Sequence, residues 1–463
     1  MAPTSNRVDP VRVVLLVAMV AISVGFCGCK FTKFGGGAKR RPSHTIRAGA
    51  APTPSQLGSK HDSPAANHFN MLLLTVDALR ADLPWLGYAR NNAPRLSEFA
   101  RESVVYTHAY SVSSTTSKSL AAMFTGRYPS SLHRSGLFFA GYTERKCFLA
   151  SRLSASGIAT LGWQVHPYLQ HAKGLSSGYA EWKQVRVLTG DAANPQSTSP
   201  ELMRVGMDLL GRPENTARQF FAWTHALDPH EAYVKHAECP DFGNRDRDRY
   251  DSEVCFTDKW IGNLLDWARR QPWWDNTVVI VTSDHGEAFG EHGMAHHAFE
   301  LWESLVHVPL LIRVPGVPAR RIELRRSQID VAATILELMG QPVYEGSPGR
   351  SLAPELLGRE EPQSHDPIVL DLPEDTHEQA RRAIIEADYK LIDFGNHRYA
   401  LYDLANDPAE LMDIAGSNPS RLAVMKQKLA ALSSGIPSVE PYGGMKLASG
   451  RIANGTLQAD PKP

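Results

Sequence analysis

Cysteine is scarce: the 463-residue chain has 5. Cys27 and Cys29 lie near the N-terminus, which leaves Cys147, Cys239 and Cys255 for the body of the chain. A fold stapled by several disulfides is excluded, since three thiols close at most one bridge. Cys239 and Cys255 are near enough in sequence for a local bridge in an oxidising compartment; buried thiols are the equal alternative. An excess of either charge is also absent, because Lys+Arg and Asp+Glu both number 49. That excludes bulk nucleic-acid binding, which needs a basic stripe or surplus. Internal repeats are lacking too. Long apolar runs are lacking except at Val13 to Phe26, VVLLVAMVAISVGF, which carries no charge. This run is short for a spanning helix and right for a signal-peptide core.

What is present divides into segments. Arg7 and Arg12 precede the apolar run, and Cys27-Gly28-Cys29 follows it. This resembles a bacterial lipoprotein signal, with Cys29 after Gly28 as the lipidated residue; an uncleaved anchor and an ordinary signal peptide are the alternatives. All three export the chain. Membrane attachment through residues 1–29, facing the periplasm or the cell surface, is the expectation. Residues 30–67 are rich in Gly, Pro, Ser, Ala and basic residues and predict a disordered linker. The remainder has an ordinary globular composition, 43% hydrophobic and 21% charged overall, and is long enough for two structural units.

From Asn70 onward apolar runs alternate with helical periods. Met71–Val76, Ile158–Val165, Phe220–Thr224, Val278–Thr282 and Val308–Val314 predict buried strands. Pro94–Glu102, Pro200–Leu210, Tyr250–Arg269 and Ile329–Met339 predict helices. The alternation implies an α/β domain with a largely parallel sheet, whose ligands sit at the carboxyl ends of the strands. Polar residues stand at those ends. Asp77 follows the first strand, His225 and His230 follow FAWT, and Asp284-His285 follow VVIVTS. His292, His296 and His297 come in the next loop. Each residue alone has a structural reading as a cap, a turn or core filler. Together, beside the hydroxyl-rich helix start at Ser111–Ser119, they make a metal site with a nucleophile. The cluster Arg320, Arg321, Arg325 and Arg326 reads as a solvated face, Trp273-Trp274 as packing, and Arg80–Asp82 as an ion pair.

The motifs TVDALRADLPWLGY, APRLSEFARESVVYTHAYS, MFTGRYPS, HALDPHEAY and VVIVTSDHGEAFGEHG occur in one order, followed by HVPLLIRVPG, IDVAATILELMG and ALYDLANDPAE. This order resembles the sulfatase family of the alkaline-phosphatase superfamily over about residues 68–435. The resemblance implies a sandwich with a central mixed, mostly parallel sheet and a smaller C-terminal α+β domain. The expected bounds are 68–355 for the catalytic domain, 356–440 for the C-terminal unit and 441–463 for a flexible tail. In that unit, strands are expected around Ile384–Ile392 and His397–Tyr402, with a helix over Pro419–Leu432.

Aligned on Thr125-Gly126-Arg127-Tyr128-Pro129, the family's formylglycine position falls on Thr116. Lys118 stands for the motif's Pro and Leu120 for its Arg, so the maturation motif is absent. A rival frame two residues earlier would make Ser114 the nucleophile. Thr116-x-x-Ser119 is similar to the threonine-nucleophile branch, the phosphoethanolamine transferases. Ala78 replaces the second Asp of calcium-binding sulfatases, and His285 adds nitrogen, which favours zinc or manganese. The implied metal ligands are Asp77, Thr116, Asp284 and His285. The implied catalytic residues are Thr116, Lys118, His225, His230, His296 and His297. The expected activity is metal-dependent cleavage or transfer of phosphate or phosphonate esters through a covalent Thr116 intermediate. The expected substrate is an anionic ester of the glycan or lipid-head-group kind. A sulfatase with a non-formylglycine nucleophile and an inactive anion- or glycan-binding pseudoenzyme are the competing readings.

Overall fold

Uninterrupted apolar runs need cover on both faces, and helices supply it here. The computed structural model describes residues 68–170, 174–185, 197–230 and 232–457. The anchor and linker expected over 1–67 lie outside the described residues. The main sheet contains β1 (Asn70–Val76), β2 (Val104–Tyr110), β3 (Ala159–Gln164), β4 (Glu181–Gln184), β5 (Phe220–Ala226) and β6 (Thr277–Ser283). After a two-stranded ribbon of β7 (Ala288–Phe289) and β8 (Ala295–His296), it resumes with β9 (His307–Arg313), β10 (Arg320–Ile322) and β11 (Arg326–Ser327). The nine strands run in the order β10-β2-β9-β6-β1-β5-β3-β4, with β11 beside β2. Every pairing is parallel except those of β9 with β2 and β6. The sheet is therefore mixed and mostly parallel.

Successive residues of β1 serve opposite layers. Met71 and Leu73 join the core beneath α2 (Thr116–Thr125), α3 (Leu149–Ala155), α8 (Ile329–Leu338) and α9 (Ala353–Leu356). Leu72, Leu74 and Val76 join the core beneath α1 (Pro94–Ala100), α4 (Ser199–Gly211) and α6 (Asp246–Ala268). Short α5 (Pro213–Thr216) and α7 (Glu303–Val306) occupy connections. Among the described residues no helix is long and apolar enough to cross a membrane.

The C-terminal part carries an antiparallel meander of β12 (Ile368–Leu372), β13 (Arg381–Glu386), β14 (Tyr389–Asp393) and β15 (Tyr399–Asp403), packed on α10 (Pro419–Gly435). The single strand expected over 384–392 is a hairpin: the chain reverses at Ala387, whose φ is +49°, without a Gly or Asn to announce it. β2 was not expected either, because Thr107-His108 interrupt its apolar run where the register with β9 shifts. The flexible tail expected from 441 is replaced, over 441–457, by packed chain. Tyr442 pairs with Ser135, Leu447 and Ala453 are buried, and the Ala448 amide donates to the Asp375 carbonyl at 2.8 Å. The arginine cluster is not a uniformly solvated face, for Arg326 is buried against Glu355 at 2.5 Å.

Cys239 and Cys255 form a disulfide, with Cα atoms 6.0 Å apart, that ties the loop after β5 to α6. Replacing both with serine is expected to lower unfolding free energy by about 3 kcal/mol, the loop-closure cost for a loop of this size. Urea unfolding of the oxidised protein and the double variant measures it.

Candidate active site

The neighbouring parallel strands β6, β1, β5 and β3 end side by side, and each delivers a polar group. Asp284 and His285 follow β6, Asp77 follows β1, His225 lies at the end of β5, and His166 comes just past β3. All are buried. Backbone accommodation is visible around them. Ala78 takes φ +56°, and a Cβ on Gly286 would lie 2.1 Å from the Ser304 carbonyl oxygen. Arg80 pairs with Asp82, as expected, and also reaches Glu291 at 2.8 Å, clamping the β7–β8 ribbon.

Thr116 is the first residue of α2, and the N-cap residue Thr115 offers no side-chain cap. Its Oγ1 lies 3.2 Å from His285 Nε2. Nδ1 of His285 faces the Gly286 carbonyl at 2.9 Å, an acceptor only, so Nδ1 carries the proton. Nε2 therefore presents a lone pair. That lone pair faces Asp284 Oδ2 at 3.4 Å and Asp77 Oδ1 at 3.6 Å, two buried oxygens that receive no hydrogen bond. Burial, reinforced by neighbouring His297, holds His285 well below its ordinary pKa, so its own ring supplies no second proton. Burial and the Asp77 charge push Asp284 up to about 7, while Asp77 stays below the usual carboxylate range because His230, His225 and His166 outweigh its burial. Converging lone pairs at these separations fit a divalent cation, whose ligands at roughly 2.1 Å lie about 3.4 Å apart in a tetrahedron. His225 Nε2 stands 3.2 Å from Asp77 Oδ2 and is oriented through Nδ1 by the Thr75 hydroxyl at 2.9 Å. Asp77, His225 and Asp284 also meet the spacing for a shared ion.

A second set with suitable spacing is Asp77, His166 and His230. Its protonation differs. The Tyr168 amide donates to His166 Nδ1 at 3.1 Å, so the neutral ring carries its hydrogen on Nε2, which faces Asp77 Oδ2 at 3.7 Å. Burial lowers the His166 pKa to about 4, which keeps the ring neutral. His166 is thus a hydrogen-bond donor at the site and a poor fit to a second cation.

His166 was missed in sequence although the strand before it was expected; the rule of inspecting the residue after each strand would have found it. His230 and His297 lie together, 4.9 Å between centroids, and His297 stacks on His285 at 4.3 Å. Three expected residues are elsewhere. Lys118 does not face Thr116: its ammonium is buried between Asp375, at 2.6 Å, and Glu378, because two carboxylates of the loop after β12 hold it. His296 is exposed on β8, with Nδ1 3.5 Å from the Tyr233 hydroxyl. His292 stacks on Trp302 at 3.8 Å. In the rival frame, Ser114 Oγ is buried without a partner, while Thr116 holds the place beside His285.

The sulfatase family model matches residues 70–341, and that of the N-sulphoglucosamine sulphohydrolase C-terminal region matches 290–434. A choline-sulfatase of Rhizobium meliloti is 30% identical over 178 residues, 38% of this chain and 34% of that protein. The inner membrane protein YejM of Salmonella typhimurium is 26% identical over 297 residues, 61% of this chain and 44% of its own length. The matches thus span between a third and a half of these relatives. A phosphonate monoester hydrolase of Agrobacterium radiobacter shares the fold, with a TM-score of 0.67 at 20% identity over 80% of this chain and 96% of that one. The family model spans most of the main sheet and every strand end that lines the site, and on that match the chain belongs to the sulfatase family of the alkaline-phosphatase superfamily.

Proposed function

We propose that this chain is a metal-dependent ester hydrolase that cleaves phosphate or phosphonate monoesters through a covalent ester on Thr116. The observation that carries the reading is the Thr116 hydroxyl set 3.2 Å from His285 Nε2, beside two carboxylate oxygens that lack any donor. Asp77, Asp284, His285 and Thr116 would hold the ion, and the imidazole in that set favours zinc or manganese over calcium. Once bound, the ion lowers the pKa of a coordinated hydroxyl and polarises an ester oxygen. Thr116 attacks in line from the start of α2, where the helix dipole favours an anionic group. The His166 Nε2–H and the His230 ring bind non-bridging oxygens. Water then displaces the Thr116 ester and regenerates the hydroxyl. A threonine ester has no hemiacetal route of release, and this favours phosphorus over sulfate centres. Exposed Phe139, 45% accessible, has its ring centroid 6.4 Å from that of His166 and suits a leaving group with an apolar body. The apolar run at 13–26, Cys29 and the Cys239–Cys255 disulfide support an exported, membrane-anchored enzyme.

A second reading, sulfuric ester hydrolysis, is favoured by the family match itself. The deciding measurement is turnover of nitrophenyl phosphate, phosphodiester, phenylphosphonate and sulfate by the zinc- and manganese-loaded protein. Faster phosphorus turnover, abolished by a chelator and restored by the ion, is expected. A preference for the sulfate overturns the phosphoester reading.

A further inference from the structure

A buried guanidinium cannot shed its proton, so it needs an anion to offset its charge. Among the described residues the buried lysines and arginines are Lys118, Arg134, Arg326 and Lys390. Lys118 holds Asp375 and Glu378, Arg326 holds Glu355, and Lys390 holds Glu303 and Glu410. Arg134, 4% exposed, has no carboxylate at ion-pair distance among the described residues. Its Nη1 donates to the carbonyls of Val439 at 3.2 Å and Ser130 at 3.5 Å, and its buried Nε finds no acceptor. The carboxylates whose charge reaches it are spent elsewhere. Asp371 serves Arg382 and the Ser130 amide, Asp375 serves Lys118, and Glu440 serves Arg451.

Arg134 lines a cavity of 370 Å³ bounded by the loop after α2, the start of β13 and the chain over 436–441. Arg382 lines it too. Its Nε holds Asp371 at 3.0 Å and its Nη2 donates to Ser130 Oγ at 3.1 Å, which leaves Nη1 without an acceptor among the described residues. Two guanidiniums thus converge on Ser130, one at its carbonyl and one at its hydroxyl. Like charges gathered this way repel until an anion joins them. The other arginines of the cavity have no such opening: Arg381 holds Glu300, and Arg451 holds Glu374 and Glu440. A guanidinium fork matches the paired oxygens of a tetrahedral oxyanion.

We propose that this cavity is an oxyanion site in which Arg134 and Arg382 together bind a phosphate or sulfate group. None of its lining residues belongs to the metal cluster, and the assignment stands without the Thr116 chemistry. The walls come from segments far apart in sequence, and the Tyr442 amide already donates to the Arg134 carbonyl at 3.0 Å. A bound oxyanion therefore latches the C-terminal chain to the loop after α2.

The metal-free full chain separates this site from ion-dependent binding at the cluster and prevents turnover. Inorganic sulfate and phosphate, titrated by calorimetry against chloride at constant ionic strength, are expected to fill one saturable site in wild type. The melting temperature should rise by about 3 °C at a hundredfold excess over Kd. Arg134→Gln and, separately, Arg382→Gln are expected to weaken binding by about tenfold or more, the loss of a charge-assisted hydrogen bond. A hexose monophosphate and a hexose monosulfate distinguish the sources. Affinity equal to that of the inorganic ions supports a free ion as the ligand, and tighter binding supports an oxyanion carried on a larger molecule. Wild-type crystals soaked in selenate need no variant to fold: a selenium anomalous peak is expected against Arg134. Binding unchanged in both variants, no effect of sulfate beyond that of chloride, or selenate found only at the metal cluster overturns the proposal.

Discussion

Thr116→Ala is expected to reduce turnover of a phosphate monoester by roughly 10⁴-fold or more, because removing a nucleophile abolishes the covalent route rather than slowing it. The variant should fold normally. The side-chain hydroxyl touches only His285 among the described contacts, and the methyl of alanine keeps the helix start filled. Thr116→Ser, which keeps a hydroxyl at the same place, should retain measurable turnover. Ser114→Ala should change kcat little, since its hydroxyl has no partner at the site. Rapid quenching with excess substrate offers an independent check: wild type should carry one phosphoryl group on Thr116, found by mass spectrometry of the peptide, and Thr116→Ala none. Full activity of Thr116→Ala would exclude the residue as nucleophile and with it the covalent mechanism.

The parts of this site legible in the sequence are those fixed by strand ends. Asp77, His225, Asp284 and His285 each follow a continuous apolar run, and such runs form parallel strands whose carboxyl ends must converge. Their meeting is a consequence of topology, so local pattern sufficed. His166 obeys the same rule and was within reach. The meeting of Arg134 and Arg382 at Ser130 was not, because it joins residues 252 apart by a contact that no period encodes. The loop histidines show the same limit from the other side. His292, His296 and His297 are equivalent as sequence, yet one stacks on Trp302, one is exposed, and one lies on His285. The hairpin at Ala387 escaped because no Gly or Asn marks its turn, and the packed segment 441–457 because its turn residues, Gly443, Gly444, Gly450 and Gly455 among them, come without an apolar period.

Lys118 is where sequence and geometry diverge most. As the third residue of the nucleophile helix it has the charge and position of an anion clamp, and proximity in sequence suggested that role. The structure gives it other partners. Lys118 and Glu378 are fully buried, Asp375 nearly so, and the Glu378 carboxylate also accepts the Phe299 amide at 3.0 Å. The lysine therefore joins the start of α2, the segment carrying Phe299 and the loop after β12. Lys118→Met is expected to destabilise the protein by about 3–5 kcal/mol, since it leaves two buried carboxylates without their cation. Glu378→Gln in the same chain should recover part of that loss, because one of the two stranded charges is removed. For molecules that remain folded, KM and kcat should change far less than in Thr116→Ala. Urea unfolding gives the first two quantities, and kinetics normalised to the folded fraction gives the third. A variant with unchanged stability and a KM raised by orders of magnitude would return Lys118 to the substrate. The expected outcome instead makes it the strut that holds the nucleophile helix against the C-terminal chain, so that the oxygens of the ester meet backbone amides and imidazoles rather than an ammonium.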